Sequence, residues 1–156
     1  MCVNGPPALW NFENKNKYSA IDLLSDINKI AQANQDTHSY SLEPGGQLEW
    51  ASSPSISLWD ILNEYSKNVL AQKELCVNNA IDIGYFSVEP ISNPLDIVLI
   101  NSNKYQLMHN LFKNTGKLGP WMMRNTASIQ LNIDYTSEED ANEMAYVADA
   151  IQPLVS

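Results

Sequence analysis

The chain has 156 residues, enough for one domain with a real core, and its 44% hydrophobic and 17% charged residues are ordinary globular composition. Nine basic against eighteen acidic residues leave a net charge of −9, which disfavours nucleic acid and anionic membrane as partners, since both need a basic footprint. It leaves ATP open, because bound Mg²⁺ bridges acidic side chains to phosphates.

Two cysteines, Cys2 and Cys76, are too few for a disulfide scaffold, so a reducing cytoplasm is expected. No apolar run approaches the ~20 residues of a membrane span, and Met1 to Pro7 lacks the basic and apolar regions of a signal peptide. Met1-Cys2-Val3 reads as a strand end running into a turn, and a polar loop follows to Lys17. Ser19 with Asp22 three residues later predicts a helix start, and Ile21, Leu24, Ile27, Ile30 and Ala31 recur at helical spacing as core to about Asn34.

From His38 the pattern changes to alternation. His38, Tyr40 and Leu42 share one side and Ser39, Ser41 and Glu43 the other; Pro44-Gly45-Gly46 interrupts, and Gln47-Leu48-Glu49-Trp50 resumes. A Pro-Gly-Gly inside a strand pattern marks a bulge or sharp turn, often where a ligand or another backbone comes close. Glu43, Glu49 and Gln47 around that kink could ligate a hard cation through oxygen; the alternative is an ordinary hairpin turn with exposed acids.

Ser57, or Ser55 before it, caps a predicted helix to about Asp82, with Leu58, Trp59, Ile61, Leu62, Tyr65, Val69 and Leu70 as packing. Cys76 lies in this helix without a basic neighbour, as an inert thiol. Ile83 to Val88 is a predicted short strand, and Glu89 to Ser102, with Pro90 and Pro94, an ordered loop. Tyr105 to Lys113 predicts a helix with Leu107, Met108, Leu111 and Phe112 inward and His109 on the surface, and Thr115 to Pro120 a glycine-containing loop.

Arg124 to Tyr135 is the longest alternating stretch. Arg124, Thr126, Ser128, Gln130, Asn132 and Asp134 fall on one side, and Ala127, Ile129, Leu131, Ile133 and Tyr135 on the other, with Asn125 out of place. This predicts one long strand of a half-covered antiparallel sheet, with helices on its apolar side. An arginine, hydroxyls, amides and one carboxylate suit fixed hydrogen bonds to an oxygen-rich ligand; a solvated face with threonine chosen for strand propensity is the other reading. Thr136 with Glu139 then forms a capping-box signature for a last helix, Glu138 to Ile151, lined by Ala141, Met144, Ala145 and Ala148.

The chain lacks the phosphate-binding G-x-x-x-x-G-K-[ST] and G-x-G-x-x-G patterns and the nucleophile elbow G-x-S-x-G. Nucleotide handling would therefore rest on metal ions held at a sheet. Ser41-Leu42-Glu43-Pro44-Gly45-Gly46-Gln47-Leu48-Glu49 resembles the S-L-E-P-G-G-Q-x-E segment of the plant- and proteobacterial-type glutamate–cysteine ligases. Met122 to Asp134 resembles that family's M-M-x-R-T-x-x-x-Q-x-N-x-D strand, and Asn103 to Gly119 matches in order and spacing between them.

Two departures stand out: Lys104 replaces the arginine usually found before the tyrosine, and Arg124 stands one position early in the strand motif. The family's glutamate-rich first strand and its C-terminal closing portion are not in the sequence, so the expectation is one partial catalytic domain over residues 1–156, incomplete at both ends, with inactivity in isolation as one alternative.

The resemblance implies an α+β, glutamine-synthetase-like fold, an antiparallel sheet backed by helices whose open face is the active site. It implies ATP-dependent joining of glutamate's γ-carboxylate to the amine of cysteine through an acyl phosphate, the first step of glutathione synthesis, with ATP and Mg²⁺ as cofactors. Glu43, Glu49 and Asn132 are then the expected metal ligands, and Arg124 the catalytic cation facing a carboxylate or the transferring phosphoryl group. Gln47, Thr126, Ser128 and Gln130 are expected to bind substrate, with Asp134 and Tyr105 as further candidates. Another amine acceptor, or a non-catalytic binding module, are the alternatives. An unpaired sheet edge also leads to an expectation of self-association.

Overall fold

A computed structural model describes residues 18–84 and 86–155. The expected opening strand, Cys2, the 14–17 loop and Tyr85 lie outside the described residues. Within them the architecture is mixed α and β: a two-stranded antiparallel sheet and five helices.

The first helix, α1 (Ala20–Ala33), begins where its sequence says it should. The Asp22 amide donates to Ser19 Oγ at 3.2 Å and the Ser19 amide to Asp22 Oδ2 at 2.9 Å, the reciprocal capping box. Its buried stripe is Ala20, Leu23, Ile27 and Ala31. Ile21, expected in the core, is exposed; the inward direction runs through Leu23 instead. Gln35, in the left-handed region at φ 58°, turns the chain into the hairpin.

Strands β1 (Ser39–Leu42) and β2 (Leu48–Ala51) pair antiparallel in the register Ser39↔Ala51, Tyr40↔Trp50, Ser41↔Glu49 and Leu42↔Leu48. The expected faces hold: His38, Tyr40 and Leu48 are buried, while Ser39 and Ser41 are exposed. The turn closes with the Glu43 amide donating to the Gln47 carbonyl at 2.9 Å and the Gly46 amide to the Glu43 carbonyl at 2.8 Å. Gly46 sits at φ 87°, where a side chain would be strained.

The second helix, α2 (Leu58–Asn79), ends three residues before the expected Asp82 and is followed by a left-handed Ala80. Its apolar stripe is a correction. Leu58, Trp59, Leu62 and Leu70 are exposed, and the inward residues are Asn68, Ala71, Gln72 and Leu75. The core joins Leu23 and Ile27 to Tyr40, Leu48, Ala71 and Leu75, and Tyr65 packs edge-on to Trp50 of the hairpin at 5.8 Å. The two buried amides share one bonded oxygen: Tyr40 Oη donates to Asn68 Oδ1 at 2.9 Å, and Gln72 Nε2 donates to the same oxygen at 2.8 Å, while Asn68 Nδ2 has no partner among the described residues.

Helix α3 (Asn103–Thr115) has Met108 and Phe112 half-buried, while Leu107 and Leu111 are exposed rather than inward. Next comes α4 (Gly119–Arg124), where a loop and the start of a strand were expected. Pro120 in its first turn needs no amide partner and presets the helical φ, which explains the early helix. A Cβ on Gly119 would stand 2.5 Å from Phe112 Cβ, so the glycine lets α4 close on α3.

The two predicted strands at Ile83–Val88 and Arg124–Tyr135 reduce, among the described residues, to one antiparallel bridge, Val88↔Thr126. Residues 127–135 carry no regular structure, and their apolar and polar members alike are exposed from Ser128 onward. Thr136 and Ser137 then lead into α5 (Glu138–Val155). Its cap is shifted by one from the expected pair: the Asp140 amide donates to Ser137 Oγ at 3.1 Å, and Asp140 Oδ2 accepts from the Thr136 amide at 2.9 Å. Among the described residues no helix is long and apolar enough to cross a membrane.

Candidate metal and substrate site

The tip of the hairpin is where separate parts of the chain meet. Gln47, 2% exposed, accepts from the Gly45 amide at 2.8 Å through Oε1, and its Nε2 donates to the carbonyls of Met123 at 3.3 Å and Thr126 at 3.1 Å. A Cβ on Gly45 would lie 2.5 Å from the Arg124 carbonyl oxygen and 2.7 Å from its Cα. Glycine is thus required for the turn to lie on the end of α4. The Pro44 carbonyl accepts from the Ile100 amide at 2.9 Å, and Tyr105 Oη donates to the Leu42 carbonyl at 2.8 Å. Both halves of the sequence motif are therefore one physical unit.

On the outward side of this hub the two acidic residues come together. Ser41 Oγ donates to Glu49 Oε2 at 2.7 Å. Burial, then the neighbouring Glu49 carboxylate, raise the Glu43 carboxyl above its ordinary value, against an opposing pull from Lys104. The Tyr105 hydroxyl is also raised, first by burial and then by Glu43 and Glu49. Lys104 Nζ stands 5.7 Å from the Tyr105 ring centre. Two carboxylates sharing a half-buried position is the environment that a hard cation relieves. Among the described residues no group of three His, Cys, Asp or Glu side chains could hold a metal, so the remaining ligands would be water, substrate oxygens or amides.

Arg124 points elsewhere. Burial lowers its pKa; Nη1 donates to the Pro94 carbonyl and Nη2 lies 3.3 Å from His109 Nδ1. His109, expected on the surface without a partner, is half-buried, and burial, then Arg124 and Lys113, lower its pKa. The neutral imidazole with Nδ1 as acceptor is the form that suits an arginine donor.

Asn125, out of step in the alternation, is fully buried. Its Nδ2 donates to the Ser92 carbonyl at 2.9 Å and to Glu89 Oε2 at 3.2 Å, and its carbonyl accepts from the Glu89 amide at 2.7 Å. Glu89 Oε1 and Oε2 in turn accept from the Ile91 and Ser92 amides, each at 2.8 Å. The only sequence signal for Asn125 was its breach of period two. Thr126 Oγ1 donates to the Met122 carbonyl at 2.6 Å, and Ser128, Gln130, Asn132 and Asp134 stand exposed along 127–135.

The profile of glutamate-cysteine ligase family 2 matches residues 11–155. The chain belongs to the glutamate–cysteine ligase family. It is 29% identical over 137 residues to a chloroplastic glutamate–cysteine ligase A of Oryza sativa subsp. indica, covering 86% of this chain and 27% of the relative. It is 31% identical over 130 residues to a chloroplastic glutamate–cysteine ligase of Arabidopsis thaliana, covering 82% of this chain and 24% of that protein. The chain thus spans about a quarter of the length of these relatives. The match takes in the hairpin tip and residues 123–126, the segments that the fold brings into contact.

Proposed function

We propose that this chain is a partial catalytic domain of a glutamine-synthetase-like ligase joining the γ-carboxylate of glutamate to the amine of cysteine, at the expense of ATP, to give γ-glutamylcysteine. The observation that carries this reading is the Glu43–Glu49 pair beside a turn that rests on the end of α4. Glu43 and Glu49 are the residues to hold Mg²⁺, with Asn132 completing its oxygen ligands. When bound, Mg²⁺ supplies charge screening between triphosphate and carboxylate. Lys104, close enough to act on Glu43, adds a second cation at the same edge.

Arg124 is assigned to a substrate carboxylate or the transferring phosphoryl group, and Thr126, Ser128 and Gln130 to glutamate, with Asp134 and Tyr105 flanking. Gln47 serves this surface from beneath, since its amide is spent on Gly45, Met123 and Thr126. Catalysis in this scheme is positioning and charge neutralisation, which needs no nucleophilic side chain. It fits the Cys76 thiol, whose pKa burial raises. The compartment proposed is the reducing cytoplasm.

A non-catalytic binding module is the second reading, favoured by the commitment of Arg124 to Pro94 and His109. ADP release with glutamate, with and without cysteine, separates the two. Cysteine-stimulated release supports the ligase, stimulation by a different amine makes it a ligase of another acceptor, and no release supports the module. In the active protein, Glu49→Ala is expected to abolish turnover and leave the far-UV circular dichroism unchanged. A near-normal rate at ordinary Mg²⁺ would remove Glu49 from the metal site.

A further inference from the structure

Apolar residues of α2 that read as packing in the sequence face solvent, and their order fits them to a second copy of the same helix. Trp59 precedes the fully buried Asn68 by two and a half turns, so the two point to opposite sides. On that outer side Trp59, Asn63, Ser66, Leu70 and Lys73 recur at alternating spacings of four and three, the seam of a coiled coil. Trp59 is 75% exposed, Leu70 65% and Leu62, beside the seam, 49%. Ile56, just before the helix, extends the stripe and is exposed as well.

The seam complements itself when two copies run antiparallel about a two-fold axis between Glu64 and Tyr65. Trp59 then meets Leu70 of the other copy, and Asn63 meets Ser66, each contact occurring twice. Ser66 Oγ donates to its own Leu62 carbonyl at 2.8 Å, which leaves its lone pairs to accept from the Asn63 amide. A polar residue in such a seam fixes register at some cost in affinity.

The flanks agree with the seam. A two-fold between antiparallel helices brings like flanks together. On one flank Leu62 meets Val69, both apolar; on the other Asp60 meets Lys67, opposite in charge. Lys67 Nζ stands 3.4 Å from Asp36 Oδ1, yet its side chain is 57% exposed and within reach of a partner. Sliding one copy by a heptad in either direction opposes Lys67 to Lys67 or Asp60 to Asp60, so the charges select this register. The area covered on the two copies is on the order of 1,000 Å², the lower end for specific association.

We infer that the outer side of α2, from Ile56 to Lys73, is a self-docking surface, on which a second copy of this chain packs its own α2 antiparallel with Trp59 against Leu70. The inference stands whether or not the ligase reading does.

Sedimentation equilibrium of the full 156-residue chain tests it. The wild type is expected to be a closed dimer. Leu70→Asp sets a carboxylate against Trp59 twice and should weaken association at least about 100-fold. Adding Trp59→Lys puts lysine opposite that aspartate and should recover about tenfold, whereas adding Val77→Lys, beyond the overlap, should recover nothing. Asn63→Leu removes the polar residue of the seam and should tighten association.

A wild-type monomer at ~1 mM overturns the inference, including one that Leu70→Asp destabilises because another part of the chain covers the stripe. Open-ended oligomers, equal recovery at 59 and 77, or no tightening by Asn63→Leu overturn it too. If Leu70→Asp does not fold, Asn63→Leu decides.

Discussion

Two stretches of this chain carry the same period-two signature and meet different fates. Residues 38–50 become β1 and β2, with Tyr40 and Leu48 buried against α1 and α2. Residues 127–135 alternate just as regularly, yet gain one bridge at their start and leave Ile129, Leu131 and Ile133 in solvent. The hairpin contains its own partner across one turn and a helix surface on which to lie. Beyond the bond from the Ala127 amide to the Ser87 carbonyl, the second stretch shows no strand ladder among the described residues, and Ile129, Leu131 and Ile133 stay exposed. Alternation specifies which side chains would share a face; a strand also needs a neighbour for its backbone and a cover for its apolar side.

The sharpest way to break this comparison is paired truncation of one isoleucine in each region. Ile27→Ala, at a fully buried position under the hairpin, is expected to lower stability by roughly 2–5 kcal/mol. Ile129→Ala should change it by less than about 0.5 kcal/mol at protein concentrations where the chain is monomeric. Chemical denaturation measures both, and similar losses would mean that residue 129 is buried in solution.

Gly45→Ala comes next. Its methyl group would be driven into the Arg124 backbone, so the turn must lift from α4, at a cost of roughly 1–3 kcal/mol. The melting temperature should fall, and the Gln47 side-chain amide should lose protection from exchange. An unchanged melt would show that the turn and α4 are not in contact.

A smaller effect should come from acid. His109 has a depressed folded pKa, so below its ordinary value of about 6.5 the unfolded chain takes up the proton first and stability declines as pH falls. Protonation also sets imidazolium against Arg124 and loosens the 89–97 loop at its Pro94 anchor. His109→Gln keeps an acceptor for Arg124 and should remove this part of the difference between melts at pH 7.5 and 5.5. If the variant shows the same difference as the wild type, the Arg124–His109 contact is not proton-linked.

The smallest shift belongs to Glu43→Gln. The Glu43 carboxyl is raised, so its contribution to stability is greatest at low pH and declines as pH rises through the folded pKa. Removing the charge at neutral pH should raise the melting temperature by ~1–2 °C, modest because the group is half-exposed. Added Mg²⁺ should stabilise the wild type and not the variant. Stabilisation of both alike would place the cation elsewhere.

Much of the local structure was legible in the residues themselves. Ser19 and Asp22 sit three apart because a first helical turn brings N-cap and N3 together, and the capping box followed. The buried Tyr40 and Leu48 side of the hairpin and its Pro-Gly-Gly turn also came from spacing and turn chemistry, whereas the register that sets Ser41 opposite Glu49 came from the fold. What spacing could not tell was direction. The inward side of α2 proved to carry Asn68 and Gln72, because the Tyr40 hydroxyl and the Gln72 amide both donate to Asn68 Oδ1, while Trp59 and Leu62 were left outside. Likewise, Arg124 read as the first polar residue of a strand, whereas Pro120 holds it at the end of α4.

The sequence by itself therefore determined the α1 capping box, the turn and the buried side of the hairpin, all set by interactions within a few positions. The tertiary structure alone decided the rest. It spent Gln47 and Asn125 as clasps, joined Glu43 to Glu49, and left Ile129, Leu131 and Ile133 exposed, because burial and backbone pairing depend on groups tens of residues away.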